Sequence, residues 1–300
     1  MDDLTSYTCQ SDYSDPGPHA GLLDDLPAEV PALTAVVRNV IVHYRMPGTD
    51  LPAERLAEIN HRWLDRLLAT DQARSGTPLA TPRPLNDRVA GCCRDYTLLA
   101  VAGLRHRGVP ARSRIGFASY FTPDYHHDHV VAQVWDGSRW VWVDAQIGPE
   151  EGWSFDPADI PPGAGLFDSA AKVWIAYRAG EIDVERYGVA PDVPIGGAWF
   201  VRNYVFLELA HRYRDELLLW DGWGAMGGPG TEGETLELVD EIAALLVAAD
   251  GGDEAAERDL AKRYANDSRL HPGQRIESHT PLGEELLVDL RSREQIALTR

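Results

Sequence analysis

The stretch GCCRD at residues 91–95 decides how this chain is interpreted, because it places a thiol where a helical pattern begins. The pattern runs to about His106, and the GVP sequence at residues 108–110 ends it. Two predicted strands follow, and they carry His129 and Asp144. A nucleophilic cysteine needs a thiol, an imidazole that acts as its base and a carboxylate that orients the imidazole. The sequence therefore predicts cysteine chemistry that uses Cys93, His129 and Asp144.

A hairpin brings the imidazole and the carboxylate to one face of the predicted sheet. Asp136-Gly137 favours a two-residue type I′ turn, which would set Trp135 opposite Ser138. Counting back in antiparallel register then sets His129 directly opposite Asp144, on the same face. A four-residue turn would make Asp144 a diagonal neighbour but keep it on that face, whereas an odd-length loop or a bulge would separate the pair.

Each of the three residues has a predicted role. The N–H groups and the dipole at a helix N-terminus favour a Cys93 thiolate, and a nearby imidazolium lowers the thiol pKa further. Asp144 would fix the tautomer and the orientation of His129. The backbone N–H of Cys93 would be one oxyanion donor, and the sequence does not identify a second.

Four motifs in this order resemble the transglutaminase-like superfamily. They are GCCRD at residues 91–95, GVPAR at 108–112, HVVAQVW at 129–135 and WVD at 142–144. The resemblance implies an α+β, papain-like core in which the nucleophile helix packs on an antiparallel sheet. It also implies Cys93 as nucleophile, His129 as base and Asp144 as the orienting acid. The superfamily includes crosslinking transferases, peptidases, amidases and inactive homologues.

Other residues near the motifs have less specific roles. Cys92 is expected to pack beneath the site, and Arg94 and Asp95 to form local ion pairs or cap contacts. His127 and Asp128 are predicted substrate contacts, and so is Trp223, although its aromatic loop could equally seal the core. As an alternative, His127 and His129 could bind zinc together with Cys93. No metal and no cofactor are expected, because the three predicted catalytic residues need no ion.

The predicted reaction is acyl transfer from an amide or peptide bond through a thioester, by hydrolysis, deamidation or amine transfer. The expected partner is an amide- or peptide-containing substrate, either a small molecule or a protein. Three alternatives stay open: an acyltransferase of the arylamine N-acetyltransferase kind, a zinc protein, and a catalytically inactive binding module. The sequence sets neither the acceptor nor the oligomeric state.

The composition is that of a globular protein with an acidic surface. The chain has 47 acidic and 28 basic residues, which gives a formal net charge of −19. Such a surface repels phosphate backbones and anionic membranes, so neither nucleic acid nor a membrane is an expected partner. No apolar run approaches the roughly 18 residues that span a bilayer. The absence of a secretion signal and the presence of only three cysteines favour reduced thiols in the cytoplasm.

Three segments are predicted along the chain: a helical N-terminal segment at 1–84, the catalytic core at 85–160 and a mainly helical extension at 161–300. Apolar residues at helical spacing predict helices over residues 33–44, 52–68, 96–106, 170–177, 198–219 and 236–249. Strands are predicted over 111–121, 127–135 and 139–145. The last forty residues are acidic and weakly patterned.

Overall fold

The chain folds into helices and strands in this computed structural model, which describes residues 4–46, 51–231, 233 and 235–298. The helices are α1 Val30–Val40, α2 Ala53–Leu56, α3 Leu64–Arg74, α4 Cys93–His106, α5 Ala170–Arg178, α6 Ala198–Arg212, α7 Leu236–Asp250 and α8 Glu254–Asn266. The strands are β1 Ile41–His43, β2 Val89–Gly91, β3 Ala111–Thr122, β4 Tyr125–Trp135, β5 Trp140–Val143, β6 Phe167–Ser169, β7 Tyr187–Gly188, β8 Asp221–Gly222, β9 Arg275–His279, β10 Glu285–Asp289 and β11 Gln295–Ala297. This mixture of helices and mostly antiparallel strands confirms the predicted α+β class.

Contacts between residues divide the chain into two compact units. Asp3–Ser113 and Val130–Pro161 form one unit, here called the Cys93 unit. Arg114–His129 and Pro162–Arg300 belong to the other, here called the His129 unit. Strands β3 and β4 each contribute residues to both units. The predicted division into three segments stays a prediction.

Helix α4 is the centre of the Cys93 unit. Its residues from Cys93 to Arg105 are all buried, as expected for a helix surrounded by other elements. Gly103 permits the closest approach, because a Cβ there would lie 2.8 Å from Cδ1 of Leu26 and 3.2 Å from Cδ1 of Leu33. In the described part of the chain, no helix has both the length and the apolar character needed to cross a membrane.

The helix predicted over residues 33–44 ends early. Helix α1 stops at Val40, and the next three residues form β1, which pairs in parallel with β2. Ile41 lies opposite Val89, and His43 lies opposite Gly91. A β-branched run fits this pairing as well as it fits a helix, so the tertiary partner decides its conformation.

The helix predicted over residues 52–68 is divided. Helix α2 and a short 3-10 helix, Ala57–Asn60, precede α3, which begins only at Leu64. The backbone just before α3 is held by Arg94 instead of by helical hydrogen bonds. The carbonyls of His61 and Arg62 accept hydrogen bonds from the guanidinium of Arg94. Carbonyls bonded in this way are not available to a continuous helix.

In the His129 unit, aromatic and charged side chains hold β3 against α6. The Phe117 ring lies 5.4 Å from both Tyr187 and Tyr204, measured between ring centroids. Arg114 is fully buried and donates to Glu208 at 2.7 Å and to Asp250 at 2.5 Å. Burial raises the pKa of Glu208, and the adjacent Arg114 charge opposes the rise. Removing Arg114 would therefore take away the cation that opposes the burial of the Glu208 carboxylate.

Strands β8 to β11 form a four-stranded sheet that the sequence did not predict. Its strand order is β11-β10-β9-β8, with antiparallel pairing throughout. In β9, Ile276 and Ser278 are buried, whereas the residues between and beside them are exposed. Only one of the two buried positions is apolar, so the period-2 signal in the sequence is weak.

Candidate active site

Gly91 precedes the cysteine pair because the side chain of Asp95 occupies the space that a larger residue would need. A Cβ built on Gly91 would lie 2.8 Å from Oδ2 of Asp95 and 3.1 Å from Cγ2 of Ile41. Gly91 also pairs with His43 in the parallel β1–β2 ladder. The chain therefore enters α4 from a fixed position.

Asp95 holds the first turn of α4 together. Its Oδ2 accepts the backbone N–H of Cys92 at 2.8 Å, and its Oδ1 accepts Nη1 of Arg94 at 2.9 Å. Burial raises the pKa of Asp95, while the Arg94 charge and the Cys92 hydrogen bond oppose that rise. These contacts confirm the predicted ion pair and cap.

Cys93 is the first residue of α4, as predicted, and 4% of its surface is exposed. The N–H groups and the positive dipole end of the first helical turn favour a thiolate at this position. Cys92 is the N-cap residue and is also buried, in agreement with its predicted packing role. Cys9 is exposed, and no disulfide joins any of the three cysteines, all of which the structure describes.

Thr97 connects α4 to β4 within the Cys93 unit. It lies four residues after Cys93, which puts both side chains on one face of the helix. Its Oγ1 donates to the carbonyl of Val130 at 2.9 Å, and both residues are buried. Val130 directly follows His129 in the sequence of β4. The Thr97 hydroxyl thus sets the distance between the start of α4 and Val130.

Replacing Thr97 with Val keeps the shape of the side chain but removes the donor to the Val130 carbonyl. We expect the free energy of unfolding to fall by about 1–2 kcal/mol, a usual cost of leaving a buried polar group without its partner. Urea denaturation measures this change. The control is Thr97→Ser, which keeps the hydroxyl. Its free energy of unfolding should be closer to that of the unchanged protein. An equal or larger loss in the Ser variant would mean that packing of the methyl group matters more.

His129 lies in β4, as predicted, and 2% of its surface is exposed. Its ring centroid is 5.0 Å from that of Phe121 and 6.1 Å from that of Tyr120, and both contacts are edge-on. All three residues belong to the His129 unit. The two aromatic rings exclude water from one side of the imidazole and restrict its orientation.

Two of the predicted substrate contacts have their polar atoms bonded within the protein. Nδ1 of His127 lies 2.9 Å from the carbonyl oxygen of Val189, and its Nε2 lies 2.8 Å from Oγ1 of Thr122. Asp128 accepts the hydroxyl of Tyr204 at 2.5 Å. A substrate role for His127 and Asp128 stays a prediction.

Trp223, the third predicted contact, is buried in the C-terminal part of the His129 unit. Its Nε1 donates to the carbonyl of Leu270 at 2.9 Å. The next residue, Gly224, has a φ of +54°, and a Cβ there would lie 2.2 Å from the carbonyl oxygen of Arg269. The loop is therefore closely packed, and a substrate contact by Trp223 stays a prediction.

The hairpin between β4 and β5 differs from the predicted one, because its loop contains four residues instead of two. Trp135 pairs with Trp140, so residues 136–139 form the turn. Oδ1 of Asp136 accepts the backbone N–H of Ser138 at 2.7 Å and that of Arg139 at 2.8 Å. Such a side-chain bond replaces the backbone bond of the expected type I′ turn. The two-residue turn, and with it the direct opposition derived from it, was wrong.

Asp144 follows Val143, which pairs with Ala132 and is the last residue of β5. The observed register differs by two residues from the predicted one, because Val143 instead of Val141 lies opposite Ala132. Asp144 is buried, with 1% of its surface exposed. Its Oδ1 accepts the N–H of Gln146 at 2.8 Å, and its own N–H donates to the carbonyl of Pro157 at 2.8 Å. These bonds fix the direction of the carboxylate.

Sequence reasoning missed Thr97, Tyr120 and Phe121. A threonine within an otherwise apolar run, one turn after a candidate nucleophile, was a usable signal. The aromatic pair stands just before Pro123-Asp124, a turn sequence, and would have been recognised only from the strand pairing.

The alternative of a zinc site requires several ligands to lie close together. Among the residues described, no three His, Cys, Asp or Glu side chains are grouped so that they could hold a metal ion. In addition, the ring of His126 stacks on Tyr187 at 4.2 Å between centroids.

A comparison with protein families agrees with the resemblance over part of the chain. Residues 46–145 match the family model described as the transglutaminase-like superfamily, and this matched third of the chain contains Cys93, His129 and Asp144. No curated protein matches the sequence. A solved structure from Cytophaga hutchinsonii, titled as a "Putative Cysteine Protease", is 18% identical, with a TM-score of 0.33. That alignment covers 51% of this chain and 45% of the other.

Proposed function

We propose that the transglutaminase-like segment, residues 46–145, makes this chain a cysteine-dependent acyl-transfer enzyme that acts on an amide or peptide bond. The observation that carries the proposal is the position of Cys93, the first residue of a buried helix whose first turn is fixed by Asp95. A thiol at a helix N-terminus ionises to the reactive thiolate more readily than the thiol of an ordinary buried cysteine does.

In the proposed reaction, His129 takes the thiol proton and the sulfur of Cys93 attacks the carbonyl carbon of the amide. The resulting oxyanion accepts the backbone N–H of Cys93. His129 then gives its proton to the leaving amine, the C–N bond breaks, and a thioester remains on Cys93. Water or a second amine attacks the thioester, with His129 removing a proton from the attacking group. The sulfur leaves as the thiol and the acid or the new amide is released.

Asp144 is proposed to orient the imidazole of His129. One of its carboxylate oxygens already accepts the N–H of Gln146, so the direction of the other oxygen is restricted. Thr97 supports the same arrangement, because its bond to Val130 ties the nucleophile helix to the residue next to His129. The atoms and protons of this reaction balance without a metal or a cofactor.

Carboxamidomethylation by iodoacetamide tests the nucleophile without a known substrate. Cys9 is exposed and would be labelled as an ordinary surface thiol, so the experiment uses Cys9→Ser as its background. At neutral pH we expect Cys93 to react before Cys92, because its thiolate is favoured by the helix N-terminus and by the imidazole. Peptide mapping by mass spectrometry gives the order of labelling.

The control for that experiment is His129→Gln in the same background, with the fold checked by circular dichroism. Loss of the imidazole should slow the labelling of Cys93 at neutral pH and leave that of Cys92 unchanged. Faster labelling of Cys92 than of Cys93 would contradict the assignment of the nucleophile. An unchanged Cys93 rate in the Gln variant would contradict the role of His129.

The mass of a trapped acyl-enzyme distinguishes the possible reactions. Incubation with a pool of candidate amides, followed by rapid acid quenching, should leave an acyl group on the peptide that contains Cys93. The adduct identifies the acyl donor, including an acetyl group if the chemistry is that of an arylamine N-acetyltransferase. Adding an amine then separates transfer, which yields a new amide, from hydrolysis.

A further inference from the structure

Four aromatic rings form a continuous cluster at the end of the β3–β4 hairpin, in the His129 unit. This cluster, here called the aromatic surface, consists of Tyr120, Phe121, Tyr125 and His127. Tyr120 lies 4.7 Å from Phe121, Phe121 lies 5.9 Å from His127, and His127 lies 5.1 Å from Tyr125, all between ring centroids. Two of these rings, Tyr120 and Phe121, also contact His129.

The aromatic surface remains partly open to solvent, unlike the aromatic core of the same unit. All four residues are half-buried, whereas Phe117, against α6, is 1% exposed. Both ring nitrogens of His127 are bonded within the protein, so that ring offers mainly carbon to the solvent. A half-exposed group of rings around a buried imidazole is suited to contact with an apolar, planar ligand.

We propose that the aromatic surface binds an aromatic group of the substrate, next to the amide that is cleaved. This inference rests on the proposed function, because His129 is the base of that reaction and the ring of His129 contacts the aromatic surface. An aromatic group on the substrate can pack against the faces and edges of Phe121 and Tyr120, which an aliphatic group of similar size does less well. The substrates would thus be amides that carry an aromatic group close to the amide that is cleaved.

Binding can be tested directly by NMR titration with three small amides: N-acetyl-phenylalanine amide, N-acetyl-leucine amide and N-acetyl-lysine amide. The readout is the shift of the ring protons of His127 and His129, which lie within and beside the aromatic surface. We expect the phenylalanine amide to bind about five-fold more tightly than the leucine amide. Equal binding of these two, or a preference for the lysine amide, would overturn the proposal.

Two variants test whether the aromatic surface causes the preference for the phenylalanine amide over the leucine amide. Phe121→Leu keeps an apolar side chain but removes the ring, and it should reduce the preference for the phenylalanine amide to less than two-fold. The matched control is Trp199→Leu, which removes another half-buried ring of the same unit. The preference should persist in that variant. A preference that survives Phe121→Leu, or that is lost equally in both variants, would place the aromatic site elsewhere.

A second measurement separates this inference from the proposed function. In the Cys9→Ser background, N-benzyl-chloroacetamide should alkylate Cys93 about five-fold faster than N-butyl-chloroacetamide, and Phe121→Leu should remove the difference. If Cys93 reacts readily with both reagents but without preference, the aromatic site is wrong and the nucleophile is retained. If Cys93 does not react while the phenylalanine amide binds, the proposed function fails and the aromatic site stands.

Discussion

The Asp144→Asn variant should lose about four orders of magnitude in turnover, the loss seen when the orienting acid of the analogous serine systems becomes an amide. An amide in this position offers His129 a donor as well as an acceptor, and the ring can then adopt the unproductive tautomer. Turnover is measured on an amide identified from the acyl-enzyme trap. The labelling rate of Cys93 with iodoacetamide provides a second reading, independent of the substrate.

The burial of Asp144 determines the expected stability of this variant. Asp144 is buried, so the substitution acts in the interior rather than at an open surface. Asn retains an oxygen that can accept the N–H of Gln146, and the free energy of unfolding should therefore fall only by about 1 kcal/mol. Asp144→Ala lacks that oxygen and should be less stable than the Asn variant. Urea denaturation of both variants separates misfolding from the loss of turnover.

Asp156→Asn is a matched control for Asp144→Asn. Asp156 lies in the same segment after β5, is exposed, and its Oδ1 accepts the N–H of Ala158 at 2.9 Å. Turnover in that variant should stay within two-fold of the unchanged protein, because surface substitutions have small effects. If Asp156→Asn abolished turnover and Asp144→Asn retained it within ten-fold, the orienting carboxylate would have to be reassigned.

The sequence predicted the helix start at Cys93 and the three strands that follow because those elements carry local signals. The helix has an apolar repeat and ends at His106, two residues before Gly108, whose φ is +72°. The strands β3 and β4 are long, and only their ends differ from the prediction by up to two residues. Local patterning therefore determined which elements exist, and it also placed Cys93 and His129 on the correct elements.

The register of the hairpin could not be derived in the same way. Asp136-Gly137 was interpreted from backbone preferences, whereas the side chain of Asp136 closes a four-residue turn by accepting two backbone N–H groups. Both turns suit the same sequence, and the choice depends on the pairing of Trp135 with Trp140. The strand β1 was missed for a related reason, since its partner β2 is 45 or more residues away in the sequence.

The Asp95→Ala variant should show the largest loss of stability among the substitutions proposed here. The carboxylate of Asp95 is buried, pairs with the buried guanidinium of Arg94 and accepts the N–H of Cys92. Its removal takes the ion-pair partner away from a buried guanidinium, and breaking a buried pair in this way costs about 3–5 kcal/mol. The midpoint of urea denaturation should fall accordingly, and Cys93 labelling should lose its selectivity over Cys92 as the first turn of α4 loosens.

An exposed aspartate at another helix start separates the effect of the buried charge from that of a simple helix cap. Asp253 precedes α8, is exposed, and its Oδ1 accepts the N–H groups of Ala255 and Ala256. Asp253→Ala should cost only about 1 kcal/mol, the usual value for an N-cap. The difference between the losses of stability in the two variants measures how much the ion pair with Arg94 and the burial of Asp95 contribute to the free energy of unfolding. Similar losses at both positions would mean that Arg94 finds another partner and that the pair does not hold the nucleophile turn in place.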